Sequence, residues 1–130
     1  MKKINTAVLI DDNPIDQRIY EKILMRSGLV NEVIVFSLAQ PALDFLRTSP
    51  DRQIDVIFLD INMPMMDGFQ FLEAATAEFD TGFTRIVVAM LTTSLNPSDK
   101  ERARKFSVVR EYITKPLTKQ HIEDIANILD

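Results

Sequence analysis

Side chains capable of chemistry stand in four short stretches of this 130-residue chain: Asp11 and Asp12 in "VLIDDNP", Asp60 in "VIFLDINMP", Thr92 and Thr93 in "VVAMLTTS", and Lys115 in "YITKP". In each stretch an apolar run ends where the polar residue begins. Two adjacent carboxylates repel each other and resist leaving water, so a pair at the end of a buried run needs a compensating charge. A hard divalent cation, Mg²⁺ or Mn²⁺, takes oxygen ligands and offsets clustered carboxylate charge. Mg²⁺ commonly shares its sphere with phosphate oxygens, which makes a phosphoryl group the natural second ligand. A carboxylate can itself be the nucleophile toward that group, giving an acyl phosphate. A lysine and a hydroxyl would then cover the remaining phosphoryl oxygens.

The elements that must carry these residues to one place are legible as an alternation. Apolar runs predict strands at Ile4–Ile10, Val33–Phe36, Asp55–Leu59 and Arg85–Leu91, with a short fifth in "EYITKP". Between them lie helical patterns. Pro14–Ser27 carries Ile15, Ile19 and Ile23 at helical spacing, with Gly28 as a stop. Ser37 and Gln40 read as a capping box for a helix through Ala42, Leu43 and Leu46. Phe69, Leu72, Ala75 and Phe79 predict a third helix, and Asn96 followed by Pro97 opens a polar fourth. Thr118 opens the last, with Ile122, Ile125, Ala126 and Leu129 on one face. Strand runs without polar alternation fit a parallel sheet buried on both faces, an α/β doubly wound architecture. In such a sheet ligands bind at the carboxyl ends of the strands, where all four stretches fall.

Composition narrows the classes. No cysteine is present, which removes disulfides and thiolate metal sites. The net charge of −4 argues against whole-domain attraction to nucleic acid. The start, "MKKINTAVLIDD", lacks a signal-peptide pattern, and no window reaches the ~18 apolar residues of a membrane span. The expectation is a cytoplasmic protein that binds neither membrane nor nucleic acid directly.

Together, "VLIDDNP", "FLDINMPMMDGFQFL", "VVAMLTTS" and "YITKP" resemble the receiver domain of two-component response regulators, across essentially the whole chain. The resemblance implies a flavodoxin-like (βα)5 fold with a five-stranded parallel sheet in order 2-1-3-4-5. It implies a phosphoacceptor at Asp60, served by a sensor histidine kinase or a histidine phosphotransfer protein. Asp11, Asp12, Asp60 and the backbone carbonyl of Asn62 would hold the metal. Thr92 matches the switch hydroxyl, Lys115 the phosphate-pairing lysine and Tyr112 the aromatic that turns with phosphorylation; the Lys115–Pro116 bond is commonly cis in the family. Two stretches depart from the pattern. "FSVVREYITKP" lacks the usual Gly-Ala pair before the last strand, which implies a different turn, and "TTSLNPSDKERA" is longer and more polar than in many members. The chain ends at Asp130, just after the last helix, so the expectation is a single receiver domain over 1–130 with no output domain. Output would then be a protein contact on the face made by the fourth helix, fifth strand and fifth helix.

Each residue taken singly has a plainer reading. Asp11 and Asp12 could cap the first helix, Asp60 could belong to the turn formed with Pro64, Asp67 and Gly68, Thr92 and Thr93 are simple β-formers, and Tyr112 is a half-buried strand aromatic. Met63, Met65 and Met66 read as loop packing, and His121 as a solvated helix residue. Other functions meet obstacles. A haloacid-dehalogenase-type phosphatase needs a second aspartate two residues after the nucleophile, where this chain has Asn62. A nucleotide-binding first turn needs glycines that "IDDNPID" lacks. A receiver-shaped binding module that is never phosphorylated is opposed by the intact acid, threonine and lysine set.

Overall fold

The structure, a computed structural model, describes residues 3–48, 53–79, 83 and 85–129. Met1, Lys2 and Asp130, at the ends of the expected domain, lie outside the described residues. Ten elements alternate: β1 (Ile4–Ile10), α1 (Pro14–Arg26), β2 (Val30–Phe36), α2 (Ala39–Thr48), β3 (Val56–Asp60), α3 (Gly68–Phe79), β4 (Val87–Thr92), α4 (Pro97–Arg104), β5 (Val109–Thr114) and α5 (Lys119–Ile128). The strands form one parallel sheet in the order β2-β1-β3-β4-β5. The expected flavodoxin-like order is therefore observed, and it reverses direction at β1. That reversal opens a crevice beyond the carboxyl ends of β1 and β3.

Burial follows from the position of each strand. Every residue of β3 and β4 is buried, as central parallel strands require. Alternate side chains feed two cores. Ile57, Leu59, Val88 and Met90 pack with Ala42, Leu43, Phe69 and Leu72 from α2 and α3. Val56, Phe58, Ala89 and Leu91 pack with Tyr20, Leu24, Ile122 and Ile125 from α1 and α5. The edge strand β2 begins at Val30, three residues before the apolar run suggested. Asn31 and Glu32 interrupt that run because an edge strand can pair with β1 and still expose them.

Three local expectations are corrected. In α1 the buried residues are Tyr20 and Leu24, whereas Ile15 and Ile19 are 68% and 46% exposed. Helical periodicity fixed the period but offered two overlapping stripes, and only the sheet decides which one faces inward. Ser37 does not cap α2, which starts at Ala39; its hydroxyl accepts from Gln17 Nε2 at 2.9 Å instead. Met63 and Met66 pack against the core, but Met65 is 90% exposed in a left-handed turn (φ 69°).

Helix α4 is held weakly, as its charged sequence implied. Ala103 is its single buried residue, and Phe106 packs only beyond its end. Arg102 tethers it to α3, with its guanidinium 4.3 Å from the Phe69 ring centre and 3.7 Å from Glu73. Where the sequence departs before the last strand, β5 carries a bulge: Val88 opposes Val109 and Ala89 opposes Glu111, leaving Arg110 out of register.

Candidate functional site

Strand ends deliver the acids. Asp11 and Asp12 follow β1 directly, and Asp60 is the last residue of β3. Asp11 is fully buried, and its Oδ1 accepts from the Asn13 N–H at 2.9 Å, which turns the chain into α1. Asn13 then caps that helix by accepting from Ile15 N and Asp16 N, with Pro14 in the first turn. Asp60 is 6% exposed, and the Asn62 N–H stands 3.4 Å from its Oδ1. One oxygen from each of Asp11, Asp12 and Asp60 lies within 4.8 Å of the others.

The lysine arrives from the far side of the switch point. Lys115 N donates to Thr92 O at 2.8 Å, so β4 holds the chain just past β5, and the Lys115–Pro116 bond is cis as expected. The ammonium donates to Asp11 Oδ2 at 3.0 Å and to Asp16 Oδ2 at 2.9 Å, and stands 3.8 Å from Asp60 Oδ2. The Tyr20 ring centre is 5.8 Å away. Asp12, Asp16, Asp60, Asn62, Thr93 and Lys115 line a crevice of about 590 Å³.

Charge crowding is visible in the acid–base properties. Burial, then the Asp11 charge, raises the Asp60 carboxyl from 3.8 to about 7, against the opposing pull of Lys115 and the Asn62 N–H. Burial pulls Lys115 down, but hydrogen bonds to Asp16 and Asp11 and the Asp60 charge outweigh it, so the ammonium holds its proton more tightly than an ordinary lysine. Three clustered carboxylates, two of them buried, form an all-oxygen donor set beside an open crevice. That chemistry fits a hard divalent cation, whose charge would relieve the repulsion.

The two threonines divide roles. Thr93 lines the crevice, whereas Thr92 is fully buried. Thr92 Oγ1 accepts from Ser94 N at 2.8 Å, and Ser94 Oγ donates to Asp99 Oδ2 at 2.8 Å in the first turn of α4. A continuous polar link therefore runs from the end of β4 to α4. Tyr112 lies on β5 with its hydroxyl buried and, among the described residues, without a hydrogen-bond partner. Burial, then the Asp99 charge, pushes its phenol up; the Thr92 side chain pulls it back without closing a hydrogen bond of good geometry.

Several polar residues carry roles that the sequence did not disclose. Asp16 and Tyr20 flank the lysine from one face of α1, four residues apart. Asp67 and Gln70 exchange hydrogen bonds of 2.9 and 2.8 Å, a capping box for α3 that the D-G-F-Q spacing does contain. Gly68 is required by close approach, since a Cβ there would stand 2.7 Å from the Asp60 carbonyl oxygen. His121 is not merely solvated: its Nδ1 accepts from Thr118 N at 3.0 Å in the box that caps α5.

A family model described as the response regulator receiver domain matches residues 7–127. A heme response regulator of Staphylococcus saprophyticus is 34% identical over 113 residues, covering 87% of this chain and 46% of that protein. A hybrid signal transduction histidine kinase of Dictyostelium discoideum is 31% identical over 125 residues, covering 95% of this chain and 7% of that protein. The chain thus spans less than half the length of either relative. Among solved structures, a two-component response regulator from Cytophaga hutchinsonii matches with a TM-score of 0.92 at 27% identity, covering 98% of this chain and 97% of that one. Among the described residues, no helix is long and apolar enough to cross a membrane. With the family model matched from within β1 to the last helix and the fold shared with a solved response regulator, the chain belongs to the response regulator receiver domains of two-component signalling.

Proposed function

We propose that this receiver is a phosphorylation switch that takes a phosphoryl group onto Asp60 from the phosphohistidine of a sensor histidine kinase or histidine phosphotransfer protein. The observation that carries the reading is Asp60 on the crevice lining, with Asp11 and Asp12 within 4.8 Å and the Lys115 ammonium 3.8 Å away. An Asp60 carboxylate oxygen attacks phosphorus, the O–P bond forms, the P–N bond breaks, and its electron pair returns to the imidazole nitrogen. Water later attacks the phosphorus of the acyl phosphate, releasing inorganic phosphate and restoring the carboxylate. The chain thus promotes its own phosphorylation and dephosphorylation and turns over no separate substrate as an enzyme does. Bound Mg²⁺ or Mn²⁺ supplies positive charge against the phosphoryl oxygens; Asp11, Asp12, Asp60 and the Asn62 carbonyl are the residues that would hold it. Lys115 meets one phosphoryl oxygen by a charge-assisted bond.

Output passes through Thr92. If its hydroxyl turns toward the phosphoryl group it must release Ser94 N, the first member of the link to α4. Tyr112 and the weakly anchored α4 then move, altering the α4-β5-α5 face that a downstream protein reads in the cytoplasm, with no direct nucleic-acid contact. Incubation with acetyl phosphate and Mg²⁺, followed by intact mass, tests the assignment. A phosphoryl adduct on the wild type that is lost in Asp60→Asn is expected. An adduct that persists in the folded variant, or none on the wild type, refutes the reading.

A further inference from the structure

We infer that Asp16 is a positioning residue that competes with the phosphoryl group for the Lys115 ammonium. The inference rests on the phosphoacceptor role of Asp60 proposed above. Among the described residues, Lys115 is the single cation of the crevice lining, and its hydrogen bonds go to Asp16 at 2.9 Å and Asp11 at 3.0 Å, while Asp60 at 3.8 Å lies beyond good hydrogen-bond distance. The two acids that hold it differ in kind. Asp11 belongs to the buried acidic group and already accepts from Asn13 N through its other oxygen. Asp16 stands outside that group, with its side chain 25% exposed. Its backbone N–H is tied to the Asn13 cap, so its carboxylate is presented from a fixed first turn of α1. Tyr20, one turn on, closes the same side of the ammonium.

This arrangement has two consequences. Before phosphorylation, Asp16 keeps the ammonium from closing a hydrogen bond with Asp60, so the nucleophilic carboxylate stays available. After phosphorylation, Lys115 can meet a phosphoryl oxygen only by giving up or stretching its bond to Asp16. One state keeps that charge-assisted bond and the other loses it, which biases the equilibrium away from the phosphoryl-bound state. The incoming phosphoryl group also carries negative charge toward the Asp16 carboxylate.

The test is a double-mutant cycle read by affinity for beryllofluoride at saturating Mg²⁺, using wild type, Asp16→Asn, Lys115→Ala and the double variant. Asp16→Asn is expected to tighten binding roughly fivefold, and the gain should vanish in the Lys115→Ala background. Asp16→Ser, which also lacks the carboxylate, should repeat the gain, and the affinity for Mg²⁺ alone should stay unchanged in both. Unchanged or weaker beryllofluoride binding in the folded Asp16 variants overturns the proposal. So does a gain that persists without Lys115, which would mark a general charge effect. A wild type that binds no beryllofluoride defeats the phosphoacceptor reading itself; a wild type that binds, with an additive cycle, defeats only the role of Asp16.

Discussion

Asp60→Asn should stabilise the metal-free protein above neutral pH, although it removes the residue on which the site depends. The wild-type carboxyl is raised from 3.8 to about 7 by burial and by Asp11. The native state therefore holds this proton more tightly than the unfolded chain does. Stability from this group is fully present below pH about 4, falls as pH rises toward about 7, and stays lost above it. A displacement of about 3 units at ~1.4 kcal/mol each sets an upper bound of about 4 kcal/mol. The carboxylate opens onto a wet crevice, and screening brings the expected cost to about 2 kcal/mol. Asparagine has no such proton and pays nothing for ionising. Urea unfolding in EDTA from pH 4 to pH 8 measures this as the difference between variant and wild type, in which titrating groups remote from the site cancel. The variant should gain about 2 kcal/mol on the wild type across that range, or roughly 5–10 °C in Tm. A difference that stays flat would mean that Asp60 ionises as an ordinary surface acid, and the crowding argument would be wrong.

Three further outcomes follow from the same geometry. Mg²⁺ should raise the wild-type Tm at pH 8 by mass action, and Asp12→Asn should weaken that response; an unchanged Mg²⁺ dependence counts against Asp12 as a ligand. Thr92→Ala should still accept phosphate at Asp60, yet amide shifts over Asn96 to Lys119 should move less than in the wild type when beryllofluoride is added; equal movement removes Thr92 from the coupling path. Gly68→Ala should cost about 1–3 kcal/mol in urea unfolding, because its Cβ would meet the Asp60 carbonyl oxygen at 2.7 Å and Ile61 Cα at 3.0 Å, both backbone atoms that cannot rotate away; a neutral substitution would show that this turn yields more readily than its packing implies.

Much of the site was written in local pattern. Parallel strands joined by crossover helices all point the same way, so residues that end successive apolar runs must share one edge of the sheet. That is why Asp11, Asp12, Asp60, Thr92 and Lys115 could be grouped from spacing, and why the caps at Asn96 and Thr118 appear where short-range rules put them. Other features depend on distances between residues remote in sequence. Asp16 reads as an ordinary first-turn acid until β5 brings Lys115, 99 positions away, to within 2.9 Å. The inward stripe of α1 is chosen by the sheet it packs on, so Tyr20 and Leu24 are buried and Ile15 and Ile19 remain at the surface. Thr92 and Thr93 are equivalent as neighbouring β-formers; the register of β4 against β3 and β5 buries one and leaves the other on the crevice. Local chemistry determines which elements form and where each ends, because capping, turns and periodicity act within a few residues. Packing alone decides which charges meet, because Coulomb and burial energies depend on separations in space that the order of residues does not encode.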